Sequence, residues 1–194
     1  MIPLAAAAPV VAAVGAAAVA GVVGWWAWAW RNSSKGASVP TTKQPPPVSS
    51  MSALQPRFRS VLELVIQDLR KQGFQPKVYE TVRSAERQRW LFENTSSTRT
   101  ARLGKHGEGL AADLIDGRPH PNQARRPGAI IGWGSWADEP DAGPGDEEAR
   151  MMADQFYDAL GRAAVARGLV WGGNWRSIVD KPHVEWASSA AGVA

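Results

Sequence analysis

The chain has 194 residues, no cysteine, and a formal charge of +4 from 22 basic and 18 acidic side chains. At about 100–200 residues per domain this allows one folded domain with appendages, and the lack of thiols excludes disulfide scaffolds, cysteine nucleophiles, iron–sulfur clusters and thiolate zinc sites. Residues 1–50 hold Arg31, Lys35 and Lys43 and no acidic residue, so 51–194 carry the other 19 basic side chains against all 18 acidic ones, without the basic excess that binding to a nucleic acid calls for.

Residues 1–30 carry no charge; twelve are alanine, and six valines from Val10 to Val23 add bulk. The run from Leu4 to Trp30 exceeds the ~20 apolar residues that span a bilayer. It ends in Trp25, Trp26, Trp28 and Trp30 before Arg31, and indole rings favour the membrane interface. The reading is a membrane anchor over 1–30. The alternative is a cleaved signal peptide, with Ala18-Val19-Ala20 as a small-residue cleavage site, although no Lys or Arg precedes the run. In composition the segment also resembles the signal-anchor-release segments of some phage lysis enzymes. Residues 31–52, rich in Ser, Thr and Pro, read as an extended linker, and the folded domain is expected over 53–194.

Within that domain, Leu54, Phe58, Val61, Leu62, Val65 and Leu69 recur at helical spacing up to Gly73. Lys77–Tyr79 predicts a short strand, and Ser84 a cap for a second helix running through Trp90 to about Glu93. Leu110–Ile115 reads as a buried strand and 116–148, rich in Pro, Gly and Asp, mostly as loop. Met152, Phe156, Leu160 and Ala163 mark a third helix closed by Gly168. Leu169–Trp171 and Val184–Trp186 are short strands around a glycine-rich turn. Helices and short strands without regular alternation predict a small α+β domain.

Two segments carry candidate chemistry. His106 is followed by Asp113, with Gly107 and Gly109 between them to let the chain turn; further on, Asp180, His183 and Glu185 cluster, with His183 and Glu185 on one face of a strand. Two histidines and a carboxylate form a standard zinc set with a position open for water, and a further carboxylate can act as general base. With three histidines in the chain, a plain structural role for each is the competing reading.

Three ordered blocks add to this: Glu80-Thr-Val-Arg83-Ser84-Ala-Glu-Arg-Gln88, then His106-x-x-Gly109-x-Ala111-x-Asp113, then Trp171-Gly-Gly-Asn-Trp175 leading to Asp180-x-x-His183-x-Glu185. Over about residues 54–187 the chain resembles the zinc D-alanyl-D-alanine carboxypeptidase and L-alanyl-D-glutamate endopeptidase family of peptidoglycan peptidases, which includes phage endolysins and shares its zinc-binding fold with the Hedgehog signalling domain. The resemblance implies a central antiparallel sheet with flanking helices. It implies His106, Asp113 and His183 as zinc ligands and Asp180 as the carboxylate that takes a proton from the attacking water and passes it to the leaving amine. Arg83 matches the arginine that contacts the substrate carbonyl or carboxylate, Ser84 looks like the cap that holds it, and Gln88 is a further substrate contact. Gly104 departs from the pattern, standing where the family often has a serine.

The expected activity is zinc-dependent hydrolysis of peptide bonds in the peptidoglycan stem. The alternatives are a catalytically silent zinc-containing wall-binding or signalling module, against which Asp180 and Arg83 together argue, and a membrane-anchored scaffold without metal. Arg31 and Lys35 would favour a cytoplasmic position, but wall substrates lie outside, so the domain is expected extracytoplasmic, monomeric and without a nucleic-acid partner. His120, in Arg118-Pro119-His120-Pro121, reads as a surface loop residue or one standing behind the site. Asp138–Glu148 lacks calcium-loop spacing and reads as a solvated acidic loop. Trp171, Trp175 and Trp186 read as core or cleft walls, Trp133 or Trp136 as sugar-stacking candidates, and Glu185 as a group orienting a zinc ligand or a plain surface residue.

Overall fold

The computed structural model describes residues 43–95 and 104–187. The expected anchor at 1–30 and linker residues 31–42 lie outside the described residues; among the described ones no helix is long and apolar enough to cross a membrane. The chain divides into Met1–Lys43 and Gln44–Ala194, and every described helix and strand belongs to the second unit.

The elements run in the order α1 (Pro56–Lys71), β1 (Pro76–Glu80), α2 (Ala85–Asn94), the single-turn α3 (Gly104–Gly107), β2 (Ala111–Pro119), β3 (Ile130–Gly132), α4 (Asp146–Ala166), β4 (Leu169–Trp171) and β5 (His183–Trp186). Short 3-10 turns occupy Met51–Ala53, Ser135–Asp138 and Gly172–Asn174. Pro56 opens α1, where its fixed φ suits the first helical turn and its missing N–H removes no bond. The helix then buries Phe58, Leu62, Val65, Ile66 and Leu69 as one stripe. Asp146, Glu147 and Glu148 fill the first turn of α4, where carboxylates complement the helix dipole. This helix is longer than its apolar residues alone suggest, because the acidic stretch expected as loop supplies that turn.

The sheet is antiparallel throughout, in the order β1-β2-β5-β4 with β3 also pairing to β2. Strand β2 is its centre and is buried from Ala111 to Asp116. Side chains alternate across it. Ala112, Leu114 and the facing Val184 join α1 and α4 in one apolar core with Phe156 and Leu160. Asp113 and its cross-strand partner His183 point to the other face. Small residues on α4 (Ala149, Ala153, Ala159, Ala163 and Ala164, all buried) let the helix lie close to the strands. The result is a small α+β domain with a central sheet and flanking helices, as the sequence predicts.

The 116–148 stretch is more ordered than a loop. Strand β2 extends to Pro119, β3 forms, and the insertion has its own polar core. Arg126 grips Asp146 with two hydrogen bonds of 2.9 and 2.8 Å and lies 4.5 Å over the Trp136 ring. The Trp136 indole donates to the carbonyls of Ile130 and Ile131. Trp136 thereby takes part in the loop's own packing. His120 is buried, not on the surface, with its Nδ1 accepting from the Asn122 backbone and its Nε2 3.1 Å from Asp146.

Candidate metal centre

Strand pairing sets a row of polar side chains across the sheet: Glu80 of β1 faces Asp113 of β2, and Asp113 faces His183 of β5. The single turn α3 brings His106 to the same point. It is tied there by the Arg83 backbone N–H, which donates to the His106 carbonyl at 3.4 Å. Gly109, three residues on, has φ +69°, and a Cβ there would lie 3.2 Å from the Ala53 carbonyl oxygen; this explains the glycine between the histidine and the strand. One donor atom each from His106, Asp113 and His183 fall within 4.8 Å of one another, and all three residues are buried.

The outer nitrogens are already engaged. His106 Nδ1 lies 2.6 Å from the Thr81 carbonyl oxygen and His183 Nε2 lies 3.1 Å from Glu185 Oε2. Each acceptor holds the ring proton on the outer nitrogen and aims the other lone pair inward. His106 Nε2 and His183 Nδ1 are 3.2 Å apart, and they stand 3.3 and 3.1 Å from Asp113 Oδ1. Three electron-pair donors converging in a buried site need a cation between them. Two imidazoles and a carboxylate match a catalytic zinc set with a position left open, so the residues fit zinc.

Burial pulls the His183 pKa down, but hydrogen bonds to Asp113 and Glu185 and the charges of Asp113 and Asp180 outweigh it and hold it at about 9. Burial alone would raise the Asp113 pKa; His106 and His183 hold it far below the usual carboxylate range.

Beside the cluster lies Arg83, at the end of β1 and just before α2. Its Nε and Nη2 donate to Glu80 Oε2 at 3.0 and 2.7 Å, its Nη2 also to Asp113 Oδ2 at 3.2 Å, and its Nη1 to Gln88 Oε1 at 3.0 Å. Ser84 caps α2, its Oγ accepting from the Arg87 backbone N–H at 3.1 Å, which places Gln88 one turn into the helix. Arg87 is buried and gives Glu80 Oε1 a hydrogen bond of 2.6 Å. Glu80 and Thr81 carry no assigned role in the sequence pattern, although both open the arginine block. Thr81 meets Val48, Ser50 and His106 from elsewhere in the chain, and the strand pairing of Glu80 with Asp113 is likewise not visible in local spacing.

Asp180 sits in the turn before β5. Its backbone N–H donates to the Gly172 carbonyl, and its carbonyl accepts from the His183 N–H. A Cβ on Gly172 would come 2.5 Å from the Asp180 carbonyl oxygen and 3.1 Å from His183 Cβ, which explains the Trp-Gly-Gly-Asn-Trp turn. Burial and then the Asp113 charge raise the Asp180 pKa, against the opposing charges of His183, His106 and Arg83; the carboxylate therefore shares the field of the site. Trp175 stands 4.9 Å from the His183 ring as a wall, and Trp171 donates its indole N–H to the Lys181 carbonyl. Glu185 faces His183, in keeping with the orienting role. His120 and Asp146 are not part of the cluster.

The sequence profile of the D-alanyl-D-alanine carboxypeptidase family matches residues 98–186, which contain all three cluster residues and Asp180. Among solved structures, that of the Serratia marcescens L-Ala D-Glu endopeptidase ChiX aligns at 22% identity over 78% of this chain and 93% of that chain, with a TM-score of 0.45. No curated protein matches.

Proposed function

We propose that this chain, with its family-level match to the zinc D-alanyl-D-alanine carboxypeptidases and its His–Asp–His metal site, is a zinc-dependent metallopeptidase that hydrolyses peptide bonds in the peptidoglycan stem. The observation that carries this reading is the convergence of His106, Asp113 and His183 with Asp180 and Arg83 in the same electrostatic field. Zinc held there would supply a Lewis acid and lower the pKa of a bound water toward 7.

The remaining steps fall to the chain's own groups. Asp180, with its raised pKa, takes one proton from the attacking water and hands it to the leaving amine as the C–N bond breaks. The hydrolysis thereby yields a carboxylate on one fragment and an amine on the other. Arg83, fixed by Glu80 and Gln88, offers its guanidinium to the oxygen that gains charge in the transition state or to a substrate carboxylate. Ser84 and Gln88 hold that arginine and the adjoining substrate contact. A wall-binding module with zinc but no turnover would have no use for Asp180 poised in this way. On the same reading the apolar run at 1–30 tethers a monomeric domain on the wall side of the membrane, a placement that protease accessibility in spheroplasts checks.

The direct test is digestion of purified muropeptides with products weighed by mass spectrometry. Release of D-alanine marks carboxypeptidase cleavage, and a cut between L-alanine and D-glutamate marks the endopeptidase. Asp180→Asn should keep about one zinc and lose roughly 10²–10⁴-fold in kcat. His106→Ala should lose the metal as well. Unchanged cleavage by both variants sinks the proposal.

A further inference from the structure

A cleft of about 300 Å³ opens beside Asp180, lined among others by Trp133, Asp154, Val179, Lys181 and Pro182. Asp180 is the one lining residue that belongs to the catalytic set; Arg83, Gln88 and the three cluster residues are not among them. The cleft therefore lies on the Asp180 side of the metal cluster. Trp133 comes from the insertion, immediately after β3. It is 40% exposed and is braced edge-on by Tyr79 at a ring separation of 4.7 Å. Val179 is more exposed still, at 61%. Two large apolar side chains thus stand open to solvent in the cleft that Asp180 lines.

Lys181 Nζ is 2.7 Å from Asp154 Oδ1. Both side chains are about half exposed, and such a pair contributes little net stability. An ammonium has three donors, and Asp154 occupies one. The backbone at Lys181 is anchored, its carbonyl accepting from the Trp171 indole N–H at 2.7 Å. Lys181 is thus a cation with spare donors among the residues that line an amphipathic cleft.

We propose that this cleft receives the part of the substrate that leaves as the amine, and that Lys181 recognises the free carboxylate on the carbon bearing that amine. The inference rests on the peptidase reading. Asp180 protonates the leaving nitrogen, so the residue attached to that nitrogen must lie on the Asp180 side, where the cleft is. In both stem bonds under consideration that residue carries a free α-carboxylate: the terminal D-alanine has one, and D-glutamate linked onward through its side-chain carboxyl keeps its own. An anion brought next to Asp180 and Asp154 requires a local cation, and Lys181 supplies it while Trp133 and Val179 cover the hydrocarbon. The insertion between β2 and α4 then has a role in substrate choice, through Trp133.

The test compares matched peptides that differ only in this group: L-Ala-γ-D-Glu-L-Lys against its α-carboxamide form, and a peptide ending in D-Ala-D-Ala against its C-terminal amide. The zinc-loaded protein should favour the carboxylate member of the pair it cleaves by about tenfold in kcat/KM, as for one charge-assisted hydrogen bond. Lys181→Met should bring that ratio close to one, and Lys181→Arg should restore most of it, with zinc content measured in each. A Lys181→Met protein that keeps the wild-type ratio, or a wild type that does not discriminate, overturns the inference and leaves the peptidase reading standing. A zinc-loaded wild type that cleaves neither pair removes both.

Discussion

At Glu80 one carboxylate, 1% exposed, takes Arg83 on one oxygen and Arg87 on the other. Such a buried charge is tolerated only when it is paired and hydrogen-bonded, and the arrangement fixes the Arg83 guanidinium where it also meets Asp113. Glu80→Gln keeps the size but loses the charge and puts an amide N–H₂ against a guanidinium. Its expected effect is a fall of about 10²-fold in kcat/KM at unchanged zinc stoichiometry; full activity would show that Arg83 needs no such support. The His183 pKa makes a second prediction at this scale. Its folded value of about 9 lies above the unfolded 6.5, so the protonated ring stabilises the metal-free protein. That contribution is complete below pH 6.5 and is lost as pH rises through about 9. Zinc must displace the same proton, so its apparent affinity should climb across this window and level off above it, as a competition titration with a chromophoric chelator would read. A flat profile between pH 6.5 and 9 contradicts the assignment.

Helix α2 shows how one local element serves the site. Its start is set by Ser84, whose Oγ satisfies the Arg87 N–H, and within two turns it delivers Arg87 to Glu80 and Gln88 to Arg83. Ser84→Ala should cost about 1 kcal/mol of stability, a drop of roughly 2–4 °C in Tm for a domain of this size. It should also reduce turnover, because the arginine directly precedes the cap; Ser84→Thr should recover both. Loss of stability without loss of turnover would separate the helix from the arginine. The cap is legible from sequence because capping is local chemistry. The first turn of α4 is not, since Asp146 reads as one more acid in a loop until Arg126 is seen against it.

For the whole domain, the stretch just before the first helix belongs with the site. Arg87 donates to the Pro45 carbonyl. Thr81 donates its N–H and its hydroxyl to the Val48 carbonyl, and its hydroxyl also to that of Ser50. Thr81 in turn presents its own carbonyl to His106. A chain beginning at Ala53 loses these partners, each worth about 1 kcal/mol. Compared with one beginning at Gln44, it should melt lower and bind zinc more weakly. Equal Tm and equal zinc affinity for the two would mean that residues 44–52 contribute nothing to the centre.

The α+β class and the apolar faces of the main helices are legible in the amino-acid order, and the candidate metal-binding residues are legible through the family resemblance of their blocks. Apolar periodicity and capping are written in neighbouring residues, and the histidine and carboxylate blocks keep their internal spacing whatever the rest of the chain does. Their surroundings, by contrast, come from the folded chain. Glu80 acquires its meaning from strand pairing with Asp113 and from two arginines, and Thr81 from a histidine 25 residues away. His120 lies inside rather than on the surface because Asp146 and Trp136 close over it. Trp133 and Trp136 look alike in sequence, yet the Trp136 indole bonds within its own loop while Trp133 stands open at the cleft. The physical reason is that burial and strand pairing are set by packing between segments distant along the chain, and even where a partner is near, as for Glu80 and Arg83, spacing does not say which side chains will meet.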